Sequence, residues 1–247
     1  MEGENRFIQG PILKPLLAFA GPVLLALLLQ SLYGAVDLMV VGRFAEEADI
    51  SGVNTGSQIM MTLNGIVAGF SMGLTVVLGH LIGEGNEREA GKTIGTGILF
   101  FGGIAVCLTL LITGFAAPLS GLLHAPEEAF SQMVSYIRIC GSGLLVIIAY
   151  NLIGSVFRGI GDSVTPLISV AIACAANIAG DLVLVAGFHM GAEGAAIATV
   201  AAQGISVLLS FLLIRRRPLP FVFERADIRW NGRAAGKIAL RSGRAHV

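Results

Sequence analysis

The stretch Leu167–Phe188, which reads LISVAIACAANIAGDLVLVAGF, is apolar and long enough to cross a lipid bilayer as one helix. It nevertheless contains an amide, Asn177, and a carboxylate, Asp181, which lie one turn apart on the same helix face. A carboxylate at that depth costs at least ~2.5 kcal/mol to insert, so residues of this kind are by default functional. We therefore predict a functional acid inside a spanning helix. The competing interpretation is that Asp181 only caps or pairs within a helix bundle.

The composition also indicates a membrane protein. Hydrophobic residues make up 55% of the chain and charged residues only 13%, whereas soluble domains carry about 25% charged residues. The 33 glycines fit close helix packing in a bilayer. The net charge of zero gives no indication of a nucleic-acid partner. The cysteines have no metal-ligand spacing, and no cofactor is expected.

Several apolar runs are long enough to span a membrane. They lie near Pro15–Val40, Asn54–Leu81, Ile94–Ala116, Val134–Phe157, Pro166–Phe188 and Ala192–Ile214. The predicted fold class is therefore an all-α polytopic membrane protein, a six-transmembrane-helix bundle over residues 1–214. Pro22 lies inside the first span and is expected to kink it, because proline removes a backbone hydrogen bond.

The remaining residues, 215–247, are predicted to form a basic, polar tail. Arg215–Arg217 end the last span, and Pro218 and Pro220 break the helix. From Trp230 onward the pattern indicates the start of an amphipathic helix, with apolar residues at Ala234, Ile238 and Leu240.

The lysines and arginines of the connections predict the orientation. Most of them fall on one side of the membrane, together with both ends of the bundle: Arg6, Lys14, Arg88, Lys92, Arg158, Arg215, Arg216 and Arg217. The opposite side carries Arg43 and Arg138 beside several acidic residues. We therefore expect both termini in the cytoplasm and the chain in the cytoplasmic membrane.

Besides Asp181, the predicted spans place one other carboxylate deep in the membrane, that of Asp37. It lies late in an outward-running first helix, at a level similar to that of Asp181, so the two side chains can face each other in one pocket. Further polar side chains fall within the spans and are candidates to line the same cavity: Gln30, Tyr33, Tyr136, Asn151 and Thr199. The tyrosines also fit an interfacial belt, the amides and Thr199 fit interhelical hydrogen bonds, and Asp37 also fits an ion pair with Arg43.

Such a set of polar groups has two uses. Neighbouring carboxylates in a low-dielectric setting cannot both ionise cheaply, so the pair is suited to hold and release a proton. The same oxygens are also ligands for a small cation such as Na⁺. Either use indicates an ion-coupled transporter. The sequence contains no GxxxxGK[ST] phosphate-binding motif and no arguable Ser–His–Asp grouping, so an enzyme is disfavoured.

Several motifs resemble the multidrug and toxic compound extrusion (MATE) family, in matching order and spacing. The first helix contains QSLYGAVD at Gln30–Asp37, followed by VGR at Val41–Arg43. The second connection contains GHLIGEGN at Gly79–Asn86, and the fourth contains FRGIGDSVTP at Phe157–Pro166. The sixth helix begins with GAEGAAIAT at Gly191–Thr199.

The resemblance implies a multidrug efflux antiporter in which organic, often cationic, drug-like compounds exchange against Na⁺ or H⁺. It implies that Asp37, Asn177, Asp181 and Thr199 form the cation or proton site, with possible Na⁺ binding there. Gln30, Tyr33, Tyr136 and Asn151 match positions around that site. Pro22 matches the proline at which the helix is thought to bend.

Members of the family have two six-helix lobes, and the resemblance covers only the amino-terminal one, up to about Lys237. The chain is therefore expected to be truncated, with the missing second lobe or a homodimer partner completing the transporter. Two alternatives stay open: a lipid-linked sugar flippase of the same superfamily, and a non-transporting six-helix membrane remnant.

Overall fold

The computed structural model describes residues 13–123, 126–216, 221 and 223–244. The described part of the chain is helical and contains no strand. Its α-helices are α1 (Leu13–Phe44), α2 (Glu47–Gly83), α3 (Glu87–Gly114), α4 (Ala116–Leu122), α5 (Phe130–Ser142), α6 (Leu144–Gly159), α7 (Val164–Asp181), α8 (Gly191–Arg216) and α9 (Gly232–Arg244). Arg6, Arg217, Pro218 and Pro220, on which the orientation and tail predictions partly rest, lie outside the described residues.

Five helical segments within these residues are long and apolar enough to cross a membrane. They are α1, α2, α3, α8, and α7 with the short π-helix Leu182–Gly187 that continues it. The remaining predicted span, the fourth along the sequence, is a bent pair, α5 and α6, with a bend of 49° between them. The predicted six-helix membrane bundle is therefore confirmed, with one broken span.

The break in the fourth span was not predicted, because the run Val134–Phe157 is apolar throughout. It lies at Gly143, where the structure leaves no room for a side chain: an added Cβ would come within 2.5 Å of the Val200 side chain on α8. Gly141, just before it, has the same constraint from Ile112 on α3, at 2.9 Å. Glycines at the bend therefore let α5 and α6 approach helices on two sides.

Small residues also hold α7 against α8. An added Cβ at Gly180 would lie 2.9 Å from the Cβ of Ala198. Further along the pair, the Ser169 and Ser210 hydroxyls hydrogen-bond at 2.8 Å, and the Ser206 hydroxyl donates to the Ser169 carbonyl at 2.9 Å. Close approach and interhelical hydrogen bonds are the main sources of helix association in lipid, where burial of apolar groups gives little gain.

The start of α8 is fixed by a contact from a distant helix. The carboxylate of Asp49, in the first turn of α2, accepts a hydrogen bond from the Ala192 backbone N–H at 2.9 Å. It occupies the space beside Gly191, whose φ of +53° suits glycine. This contact ties together the ends of α2 and α8 on the side of the bundle away from the α2–α3 turn.

The segment after α8 folds back onto the opposite end of the bundle. The Asp227 carboxylate pairs with the Arg88 guanidinium at 3.0 Å, and the Thr96 hydroxyl donates to the Arg229 carbonyl at 3.3 Å. Helix α9 follows and packs against α2 and α3, with Ile238 completely buried. The predicted amphipathic helix is present, but Leu240 was wrongly placed on its buried face and is 74% exposed. The division at residue 215 stays a prediction.

Pro22 does not interrupt helix α1, which continues as α-helix on both sides of it. The proline lies more than two turns from the start of the helix. Only in the first turn is the missing N–H of a proline harmless, so at Pro22 one backbone hydrogen bond is lost. A bend at this position during transport therefore stays a prediction.

Candidate functional site

Asp37 and Asp181 meet in the interior of the bundle. Asp37 lies on α1 and is 7% exposed, and Asp181 is the last residue of α7 and is fully buried. Their carboxyl groups are close enough to hydrogen-bond to each other when one of them carries a proton. The residues that the sequence placed on separate spans thus form one acidic pair.

The chain changes its helical geometry at Asp181. Regular α-helix ends at this residue, and the π-helix Leu182–Gly187 follows directly. A π-helix is rare, and short π-helical turns occur frequently at functional sites. Here the wider turn begins at the buried carboxylate, so the local register of the helix is part of what positions Asp181. Hydrophobic periodicity carries no signal for such a change.

Asn177 and Thr199 supply neutral oxygens beside the acidic pair. The Asn177 side chain is 1% exposed and its Nδ2 donates to Thr199 Oγ1 on α8 at 3.4 Å. This long hydrogen bond orients the amide, so that Asn177 Oδ1 is left free of protein donors. Since Asn177 precedes Asp181 by one helical turn, the amide oxygen and the carboxylate share a face of α7.

The acidic pair lacks protein donors within the described part of the chain. At the acidic pair and the adjacent Asn177, four buried oxygens have no hydrogen-bond donor among the described residues: Asp37 Oδ1, Asn177 Oδ1, and both carboxylate oxygens of Asp181. The ion pairs found among the described residues involve Arg88 and Lys92 at the other end of the bundle, and none reaches this site. Buried carboxylates without a partner cost several kcal/mol. A proton or a small cation would satisfy these oxygens.

Two tyrosines lie near the acidic pair. The rings of Tyr33 and Tyr136 are both within electrostatic range of Asp37. Tyr33 is half-buried, whereas Tyr136 is 3% exposed and packs against Gly56 of α2, where an added Cβ would lie 2.7 Å from its ring. Both tyrosines are therefore near enough to influence the acidic pair. Their predicted cavity-lining role stays a prediction.

The other predicted cavity residues form two separate hydrogen-bonded pairs. Gln30 Nε2 donates to the Tyr150 hydroxyl at 3.4 Å, which joins α1 to α6. Asn151 Nδ2 donates to Asn64 Oδ1 at 3.0 Å and also to the Ile147 carbonyl at 2.9 Å. Sequence reasoning missed Tyr150 and Asn64. The available signal for Tyr150 was its place directly before Asn151. The available signal for Asn64 was a polar residue within an apolar run.

An open cavity of about 350 Å³ lies between α1 and α2. Glu47, Ser51 and Asn54 line it with the apolar side chains of Leu38 and Ile50. None of the predicted site residues lines this cavity. The acidic pair is buried, and it is therefore not part of the open cavity on the bundle surface.

A sequence profile of the MatE family matches residues 22–183, which is more than half of the chain and includes Asp37, Asn177 and Asp181. The chain belongs to the MatE family. This confirms the family that was indicated by the motifs at Gln30–Asp37, Gly79–Asn86 and Phe157–Pro166.

Curated relatives in the MatE family have names that refer to drug resistance. The probable multidrug resistance protein YpnP of Bacillus subtilis is 27% identical over 220 residues, covering 89% of this chain and 49% of its own length. The probable multidrug resistance protein NorM of Thermotoga maritima is 27% identical over 242 residues, covering 94% of this chain and 50% of its own length. The chain therefore spans about half the length of the curated relatives it matches.

The fold is also found in a solved transporter structure. A MOP superfamily transporter from Pyrococcus furiosus superimposes with a TM-score of 0.90 at 18% identity, over 98% of this chain and 54% of the solved one. Agreement over nearly the whole chain includes the described part of the segment after α8. The described part of the chain therefore shares the fold of about half of that solved chain.

Proposed function

We propose that this chain is one lobe of a secondary active multidrug exporter, which moves organic, often cationic, compounds out of the cell against Na⁺ or H⁺. The observation that carries the proposal is the buried pair of Asp37 and Asp181, which has no basic partner among the described residues. Transport sites of this kind are the usual reason for an intramembrane acid. The drug-resistance names of the relatives agree with this function.

In the proposed mechanism, the coupling ion is bound where the protein leaves oxygens without donors. For H⁺, one proton shared by Asp37 and Asp181 removes the repulsion between them, and it leaves when the site opens to water. For Na⁺, the carboxylates and the oxygens of Asn177 and Thr199 replace part of the hydration shell. Release of the ion leaves two buried negative charges, which favours entry of a cationic compound or a further coupling ion.

The proposed transporter needs a second six-helix unit. Its curated relatives are about twice the length of the part that this chain matches. We therefore place the drug-binding cavity between this lobe and either a second lobe or a second copy of the chain. In the proposed orientation the α2–α3 turn and the segment after α8 face the cytoplasm, following the lysines and arginines at that end.

The experiment is drug efflux from cells that carry the complete transporter, measured with a cationic dye at fixed pH with and without Na⁺. Asp181→Asn removes the second carboxylate but keeps its shape, and it should abolish ion-driven efflux with expression unchanged. Glu193→Gln, at an exposed position in the first turn of α8, is the matched control and should export normally. Loss of efflux on Na⁺ removal identifies Na⁺ as the coupling ion, and persistence identifies H⁺.

Normal dye efflux by Asp181→Asn contradicts the assignment of the site. Movement of a lipid-linked oligosaccharide in place of the dye would support the flippase alternative. We expect the dye, because buried carboxylates disfavour the phosphate groups of a lipid-linked sugar. No movement of either compound by the wild-type transporter would indicate a membrane protein without transport activity.

A further inference from the structure

Helix α9 presents a basic face that the proposed transport cycle does not use. Arg233, Lys237 and Arg241 follow one another at intervals of four residues, so they lie along one side of the helix. All three are exposed, and no acidic residue occurs in α9. None of the ion pairs found within the described residues involves them. A row of exposed cations without partners among the described residues is available to bind anions from outside the chain.

The position of α9 indicates where such anions would have to lie. The helix and the residues before it pack against α3 just where the charged first turns of α3, which include Arg88 and Lys92, give way to an apolar run. The Trp230 ring stacks on Phe100 at a centroid distance of 6.5 Å and an angle of 27°. Tryptophan at such a boundary is typical of the headgroup level of a bilayer.

Exposed apolar groups on the same segment fit a lipid environment. Trp230 is 62% exposed in spite of its contact with Phe100, and Leu240 is 74% exposed. Leu240 follows the buried Ile238 by two residues, which turns it to the side of α9 away from the bundle. A basic face beside exposed tryptophan and leucine is typical of helices that lie in the membrane interface.

We propose that α9 is an interfacial helix that binds anionic phospholipid headgroups of the adjacent leaflet through Arg233, Lys237 and Arg241. The phosphates supply the counter-charges that the described part of the protein does not, and Trp230 and Leu240 contact the upper acyl chains. The attraction falls with ionic strength, because these charges lie at the water surface. The inference rests on the membrane location of the chain and does not depend on what is transported.

The test uses the fact that Trp230 is the only tryptophan in the chain. The protein is reconstituted in vesicles of phosphatidylcholine and phosphatidylglycerol. In one sample the phosphatidylglycerol carries bromine on its acyl chains, and in a second sample an equal mole fraction of brominated phosphatidylcholine is used instead. Brominated phosphatidylglycerol should quench Trp230 fluorescence more strongly, since the local preference is roughly fivefold for each Lys or Arg near an anionic surface. The difference should shrink in high salt.

The variant Arg233→Gln, Lys237→Gln, Arg241→Gln should quench equally with both brominated lipids. Its tryptophan emission in detergent should match that of wild type, which shows that α9 is still docked. Lys92→Gln is the control, because Lys92 is exposed at the same end of the bundle but is paired with Glu89 at 2.6 Å. It should keep the preference for phosphatidylglycerol. Equal quenching in wild type, or an unchanged preference in the triple variant, overturns the proposal.

Discussion

At the scale of single residues, the contact between Asp37 and Asp181 governs how this lobe responds to pH. Two buried carboxyls that face each other tolerate one shared proton, whereas two ionised groups repel each other strongly. Raising the pH removes the shared proton in the folded state. We therefore expect the midpoint of thermal unfolding in detergent, measured without Na⁺, to fall as the pH is raised, because stability held by a proton is lost when the proton leaves.

Asp181→Asn should flatten this dependence and raise the midpoint at alkaline pH. The amide donates a hydrogen bond to Asp37 without needing a proton, and only one buried charge remains. A rise of about 2–4 °C corresponds to ~1 kcal/mol in a chain of this size. Asp37→Asn should behave in the same way, since the pair is symmetric in charge. A wild-type midpoint that does not respond to pH would show that the two carboxyls share no proton.

The site residues differ in how far the sequence could predict them. Asp37, Asn177 and Asp181 stand out because each is a costly group in an apolar run, and helical spacing places the last two on one face. The pairing of Asn151 with Asn64 and of Gln30 with Tyr150 depends on how far one helix is displaced along another. No periodicity within a single helix contains that information. The sequence therefore predicts members of the site better than their partners.

At the scale of elements, the bend at Gly143 is a packing feature that a single methyl group should disturb. An added Cβ would lie 2.5 Å from the Val200 side chain. Overpacking of this kind costs about 1–3 kcal/mol. Gly143→Ala should therefore lower the thermal unfolding midpoint by several degrees, and Val200→Ala in the same chain should restore most of the loss because it removes the obstructing methyl groups.

Gly103→Ala on α3 is the matched control, since no atom lies within 4 Å of its added Cβ. It should leave the midpoint unchanged or raise it slightly, because alanine favours helix over glycine by up to ~1 kcal/mol. If Gly143→Ala behaves like Gly103→Ala, the bend has another cause than close packing on α8.

The bend at Gly143 and the π-helix after Asp181 could not be predicted from the sequence, for the same reason. Span length and apolarity predict that a segment crosses the membrane, and both hold for the broken segment and for the one that changes geometry after Asp181. The bend coincides with a close contact to another helix, that of Gly143 with Val200. Local composition predicts the number of spans, while neighbouring helices determine their shape.

At the scale of the whole molecule, the segment after α8 is joined to the bundle by polar and apolar contacts that contribute unequally to its stability. Arg88 is 46% exposed in its ion pair with Asp227, and exposed pairs contribute about 0–1 kcal/mol. Ile238 is fully buried in the cluster that includes Leu74, Leu78 and Ile94. Burial of such a side chain contributes about 1.5–3 kcal/mol. Docking of α9 should therefore depend more on Ile238 than on the ion pair.

Ile238→Ala should release α9 from the bundle for a larger fraction of the time. Trypsin cuts after Arg233 and Lys237 only when the helix opens, so the rate of cleavage there reports the open population. A loss of 1–2 kcal/mol should raise that rate by a factor of about 5–30, as measured by mass spectrometry of the peptides released from detergent-solubilised protein. Leu240→Ala alters the opposite side of α9 and should leave the rate unchanged. Equal acceleration by both variants would mean that α9 is held by its own helical stability, and that its position on the bundle follows from the Arg88 and Thr96 contacts instead.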